Sequence, residues 1–226
     1  MLRPLEKDHV LLPVGADHKD AVIKKKKAPV SRNGYPLSGW NTKEQTGFTV
    51  DELWNYPNAI SVGARCDKLF CLDIDGETAS KGIKRLGLDN EKTWTVRRTG
   101  TESYFKKIFS LTKAQVNSIP PNTRNKKEIN FKIYTLEEHD RREAIEFFGN
   151  TLGRQIIVSG SHFSSGGRYY CNKGEEPQDI QPPSIRTWNK VLKLCKQNQT
   201  EKVPTPGLVL KNKSNWIRLT ECPICS

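Results

Sequence analysis

Two aspartates two positions apart, Asp73-Ile74-Asp75, close an apolar run and are followed at once by Gly76. On an extended strand side chains alternate between faces, so Leu69, Cys71, Asp73 and Asp75 share one face and Phe70, Leu72 and Ile74 the other. Carboxylates held that close repel when partly desolvated, and need a cation or a raised pKa. Their hard oxygens suit Mg²⁺ or Mn²⁺. The alternative is an ordinary strand end with solvated aspartates. A third acid, Glu146, interrupts the apolar stretch Ala144-Ile145-Glu146-Phe147-Phe148, on the face of Ala144 and Phe148. There it is either a metal ligand beside Asp73 and Asp75 or the partner of a neighbouring arginine. Three acids from two strands could hold two ions about 3.5–4 Å apart, which would activate a 3′-hydroxyl and steady a leaving pyrophosphate.

The elements that must position these acids can be read from periodicity and turn chemistry. Residues 59–75 read as two strands around a turn at 65–68. Residues 77–86 read as a helix, and 92–98 and 104–111 as strands flanking Thr99-Gly100-Thr101. Residues 143–148 and 154–158 read as a β-hairpin around Gly149-Asn150-Thr151-Leu152-Gly153, which would carry Glu146. Thr49 and Glu52 have capping-box spacing at the start of a short helix, and Pro182-Pro183-Ser184 opens another that runs to about residue 197. Residues 113–130, with Pro120-Pro121 and a basic cluster, read as a mobile polar insert. The interleaving predicts one α+β domain over residues 1–197, its first 30 residues a basic extension. Residues 198–226 are read as a linker and the start of a C-terminal segment.

The 226 residues carry 37 Lys and Arg against 25 Asp and Glu, a net charge of +12. A polyanionic partner gains from such a surface by counterion release, although a merely soluble basic protein has the same composition. The run Lys24-Lys25-Lys26-Lys27 is either solvated or an arm that touches nucleic acid. No apolar stretch approaches the roughly 20 residues of a membrane span, and the opening residues lack the apolar core of a signal peptide. The expected location is therefore the cytoplasm or nucleoid, with no membrane partner. Four of the six cysteines are scattered singly, and Cys222-Pro-Ile-Cys225 has the spacing of half a zinc site. The alternative for that pair is a frayed tail.

In order along the chain, these segments resemble the primase-polymerase domains of the archaeo-eukaryotic primase superfamily. Lys27-Ala28-Pro29 followed by Ser38-Gly39-Trp40 resembles the entry segment of that family, and Ala59-Ile60-Ser61-Val62-Gly63 its next strand. Leu72-Asp73-Ile74-Asp75-Gly76 is similar to its metal-binding first motif, and Ile145-Glu146 to its third. Residues 153–158, Gly160-Ser161-His162 and Ser165-Gly166-Gly167-Arg168-Tyr169 resemble the stretch C-terminal to that third motif. The family's second motif usually carries a histidine before Tyr-Phe, and here Thr101-Glu102-Ser103-Tyr104-Phe105-Lys106-Lys107 has none.

The resemblance implies a primase-like catalytic core with mixed or antiparallel sheets, flanking helices and an RRM-like part. It implies a DNA primase or polymerase that works from nucleoside triphosphates on a single-stranded template with a primer, through two Mg²⁺ or Mn²⁺ ions at Asp73, Asp75 and Glu146. Arg97 or Arg98, with Lys106 or Lys107, would meet the triphosphate in place of the missing histidine; the bland reading of each is a surface charge. Ser161 and His162 lie in a Gly/Ser-rich loop suited to a phosphate or sugar contact, against a plain surface turn. Arg154 would reach the same phosphates or pair with Glu146. Tyr35 and Trp40, with the lysine run, are candidates for template contact, against simple packing. A helicase is the further partner and Zn²⁺ at Cys222 and Cys225 the further metal that the family would add. Two other functions use the same residues: a metal-dependent nuclease, and a non-enzymatic strand-binding module whose acids are structural.

Overall fold

The strand that carries the two aspartates lies in the middle of the larger sheet. The computed structural model describes residues 2–15, 28–122, 124–136, 142–162, 165–200, 208–211 and 216–218. Its strands are β1 (Leu11–Val14), β2 (Ser61–Arg65), β3 (Leu69–Asp75), β4 (Trp94–Arg98), β5 (Tyr104–Ser110), β6 (Ile129–Leu136), β7 (Arg142–Gly149), β8 (Gln155–Gly160), β9 (Tyr169–Tyr170), β10 (Leu208–Lys211) and β11 (Trp216–Arg218). The helices are α1 (Val50–Trp54), α2 (Glu77–Arg85), α3 (Lys113–Ser118) and α4 (Ile185–Thr200). They make a mixed α+β fold with a three-stranded sheet, order β1-β2-β8, and an eight-stranded sheet, order β11-β10-β6-β7-β3-β5-β4-β9. Neighbours in both sheets run antiparallel among the described residues.

Alternation along β3 gives the large sheet two unlike faces. Phe70, Leu72 and Ile74 join Ile145, Phe147 and Phe131 beneath α2 and α4, against Ile83, Trp188 and Val191. Each fully buried side chain of this kind contributes roughly 1.5–3 kcal/mol. On the opposite face Cys71, Phe148, Ile108 and Trp94 pack under the small sheet, against Ala64, Ile156 and Val158. This second core does not extend to Asp73 and Asp75, which stay half-buried.

The expected hairpin of residues 143–148 with 154–158 does not form. β7 pairs with β3 and β6, whereas β8 joins β2 in the other sheet. The cause is the turn between them. Gly149 lies too close to the Leu69 carbonyl for any Cβ, and Asn150 takes a left-handed φ of 50°. The amides of Asn150 and Thr151 donate to the carbonyls of Leu69 and Cys66 at 3.0 and 3.1 Å. The turn therefore leans on the turn between β2 and β3, and both carry the chain from one sheet to the other. β2–β3 and β7–β8 form one bent ribbon, with Ser61 opposite Gly160 at one end and Asp75 opposite Ala144 at the other.

Three further expectations are corrected. Residues 2–15 are not a basic extension: Leu2, Leu5, Leu11, Leu12 and Val14 are buried, and β1 edges the small sheet, where Pro13 is tolerated. Residues 113–130 are not a loose insert: Thr112 and Gln115 cap α3 reciprocally, Ile119 is buried, and β6 begins at Ile129. Part of the supposed linker is sheet, since β10 pairs with β6. Lys24, Lys25, Lys26, Lys27, Cys222 and Cys225 lie outside the described residues.

Candidate active site

One row of opposed residues crosses the large sheet: Lys132 on β6, Glu146 on β7, Asp73 on β3, Lys106 on β5 and Val96 on β4. Directly opposed residues present their side chains to the same face, with Cβ atoms about 4.5–5.5 Å apart. The row thus reads cation, acid, acid, cation, and Asp75 lies two residues along β3 on the same face. Asp73 and Glu146 meet because the bent ribbon sets their register.

The charges are matched pairwise. Lys106 Nζ donates to Asp73 Oδ1 at 2.6 Å, with the two side chains only 17% and 16% exposed. Lys132 Nζ donates to Glu146 Oε1, and Arg154 Nη2 to Glu146 Oε2 at 3.2 Å. Arg154 also donates to Asn130 Oδ1 at 3.0 Å and lies 4.9 Å over the Phe148 ring. The pairing of Glu146 with an arginine, one of the two roles open to it, is therefore present. Burial alone would lower the Lys106 pKa, but the charge and hydrogen bond of Asp73 outweigh it and hold the ammonium above the ordinary lysine range.

Beyond Asp73 the face opens into a cleft bordered by Asp75, Arg98, Tyr104, Lys106, His162 and Tyr169. The Arg98 guanidinium sits 4.6 Å over the Tyr104 ring and donates to Thr101 Oγ1 at 3.0 Å. Burial first of all raises the pKa of Tyr169, which keeps its hydroxyl protonated. The loop bearing Ser161 and His162 is tied down at both ends. Ser161 bridges to Arg168, the His162 amide donates to Gly167 O at 2.7 Å, and the Thr99 amide donates to Arg168 O at 2.9 Å. His162 Nδ1 contacts Ser165 Oγ at 3.0 Å.

The expected residues divide. Asp73, Asp75, Glu146, Arg98, Lys106, Arg154 and His162 come together on one face or its rim. Lys107 does not, because strand parity sends it to the other face; Arg97 borders the cleft, but the same parity turns its side chain away from the acids. The Arg97 guanidinium makes a forked pair with Glu175, with contacts of 3.0–3.2 Å. Lys107 is buried and donates to the carbonyls of Asp89 and Glu91. Trp40 is held by its carbonyl, which accepts from the buried Arg65 at 3.2 Å, and Tyr35 is exposed; neither borders the cleft. Sequence reasoning missed Lys132 and Tyr169. The alternation of Ile129, Phe131 and Ile133 with Asn130 and Lys132 was the available signal for the former.

Among the described residues no group of three or more His, Cys, Asp or Glu is gathered closely enough to hold a metal ion. The donor chemistry nevertheless fits a hard divalent cation: three carboxylates lie on one face at adjoining positions. Each of Asp73 and Glu146 is drawn instead to a lysine or arginine. No described helix is long and apolar enough to cross a membrane. The family model for the N-terminal domain of bifunctional DNA primase/polymerases matches residues 5–188. No curated protein and no solved structure matches the chain.

Proposed function

The chain belongs to the bifunctional DNA primase/polymerase N-terminal family, and on that premise we propose that it makes or extends primers by nucleotidyl transfer on a single-stranded DNA template. The observation that carries this reading is the register of β3 with β7, which sets Asp73 beside Glu146, one step from Asp75, at the mouth of a cleft with cationic walls. Asp73, Asp75 and Glu146 would hold Mg²⁺ or Mn²⁺, which supplies Lewis-acid activation of phosphoryl oxygens.

The remaining steps belong to the chain's own side chains. Arg98 and Lys106 bring fixed positive charge to the β- and γ-phosphates, so that the leaving pyrophosphate departs into a neutralising wall. The Arg98 fork is oriented by Thr101 and the Tyr104 ring before any ligand arrives. His162 and Tyr169 close the other side, where a neutral phenol can donate to the nucleotide sugar or phosphate. Lys132 and Arg154 pair with Glu146 and hold its side chain along the sheet face. The large sheet around β3 serves as the RRM-like part of the primase core, and the basic surface tracks the template backbone.

The test is primer extension with Mn²⁺ and dNTPs on a primed template, wild type against Asp73→Asn/Asp75→Asn. Loss of extension by about two to three orders of magnitude, with DNA retention kept, is the expected result. Undiminished extension by the variant would overturn the reading, and dNTP-independent degradation of the DNA would replace it with a nuclease.

A further inference from the structure

Glu143 takes no part in the proposed chemistry, yet it joins the two acid-bearing strands at their open ends. It lies on β7 three residues before Glu146, on the opposite face of the sheet. Its Oε2 accepts from the backbone amides of Thr78 at 2.6 Å and Ala79 at 3.1 Å. These are the second and third residues of α2, the helix that begins directly after Asp75-Gly76. Helix starts leave such amides without an intrahelical partner, and the residue just before the helix normally satisfies them with its own side chain. Gly76 stands at that place and makes no such bond. Its φ of 121° is one that side chains rarely adopt, and a Cβ there would collide with the Glu143 carboxylate. The bare backbone of Gly76 therefore admits a cap from the neighbouring strand. A carboxylate also suits the positive end of the helix.

We infer that Glu143 is a positioning residue for the metal-binding acids. By capping α2 from β7 it sets the direction in which the chain leaves β3, and hence where Asp75 stands relative to Asp73 and Glu146. The inference rests on the reading of those acids as the metal centre. A cap anywhere stabilises its helix. This one lies next to one acid and is anchored on the strand of another, so its loss shifts ligands against each other.

The experiment measures Mn²⁺ binding to the protein without nucleotide, by electron paramagnetic resonance of the free ion, beside the Mn²⁺ dependence of extension. Glu143→Ala is expected to weaken Mn²⁺ binding about fivefold, the factor one lost cap is worth, while the KM for dNTP stays near wild type. Glu143→Gln, which keeps an acceptor for both amides, restores most of the affinity. Gly76→Ala expels the carboxylate and reproduces the loss, and adding Glu143→Ala to it makes nothing worse. Thr49→Ala removes the capping box of α1 and serves as the matched control; it must lower the melting temperature without moving Mn²⁺ binding. If Glu143→Ala lowers the melting temperature and leaves Mn²⁺ affinity untouched, or Thr49→Ala moves Mn²⁺ equally, Glu143 is only a structural cap and the inference fails. If Asp73→Asn/Asp75→Asn binds Mn²⁺ as tightly as wild type, the premise of an acid metal centre fails first and takes the inference with it.

Discussion

Lys106 and Lys107 are neighbours on β5 and end on opposite faces of one sheet. Lys106 meets Asp73, whose charge and hydrogen bond outweigh burial and raise its pKa, whereas Lys107 is buried against the carbonyls of Asp89 and Glu91 and has its pKa lowered by that burial. The contrast extends along β3, where Phe70, Leu72 and Ile74 make a dry core and Asp73 and Asp75 border a cleft. The helical face is held by apolar area and by donors spent on backbone carbonyls. The other face carries a second apolar core around Cys71 and Phe148 and, next to it, the ion pairs of Asp73 and Glu146. One strand thus serves stability and chemistry at alternate residues.

The strongest way to break this division is Ile74→Ala, between the two aspartates but on the core side. It should cost about 2–5 kcal/mol of stability in a denaturant titration, while the folded fraction extends primers at a near-normal rate. Extension lost without stability lost would mean that the faces are not separable. The lysine pair sharpens the point with smaller effects. Lys106→Met should raise the KM for dNTP by about tenfold, as expected for a lost charge-assisted contact. Lys107→Met should leave that KM alone and cost about 1–3 kcal/mol of stability, because two part-buried carbonyls lose a donor.

The smallest effect lies in pH dependence, and its sign differs between the two lysines. The folded pKa of Lys106 is raised, so the stability it contributes is complete below about pH 10.4 and is lost as the pH climbs through the folded value. The folded pKa of Lys107 is lowered, so its contribution grows as the pH rises toward that same ordinary value. The melting-temperature gap between wild type and Lys107→Met should therefore move in favour of wild type as the pH rises toward about 10.4, whereas the gap to Lys106→Met should stay constant up to that pH and narrow only above it. Parallel curves would dissolve the contrast.

The acids were legible because a carboxylate inside an apolar strand has few explanations. Asp73, Asp75 and Glu146 each interrupt such a run, and parity alone put the first two on one face. Parity could also have separated Lys106 from Lys107, had the register with Asp73 been known; it is a long-range fact that no local spacing contains. The hairpin failed for the same reason. Gly149-Asn150 makes a turn, but only the backbone approach to Leu69 decides that the chain crosses to another sheet. β6 was hidden by the polar residues Asn130 and Lys132 in its alternation, and β1 by Pro13 in so short a strand. The Gly76–Glu143 cap joins residues 67 positions apart in the chain, which no capping-box spacing describes.

β3 is hydrogen-bonded to a neighbour on each side over nearly its whole length, and those neighbours are themselves flanked by β6 and β4. Amides in such a place exchange with solvent water only when the entire sheet comes apart. The aspartates are thus carried by a strand whose amides should exchange slowly. Gentle warming can fray the rim of the cleft, but it cannot scatter the acids while the rest of the molecule stays intact.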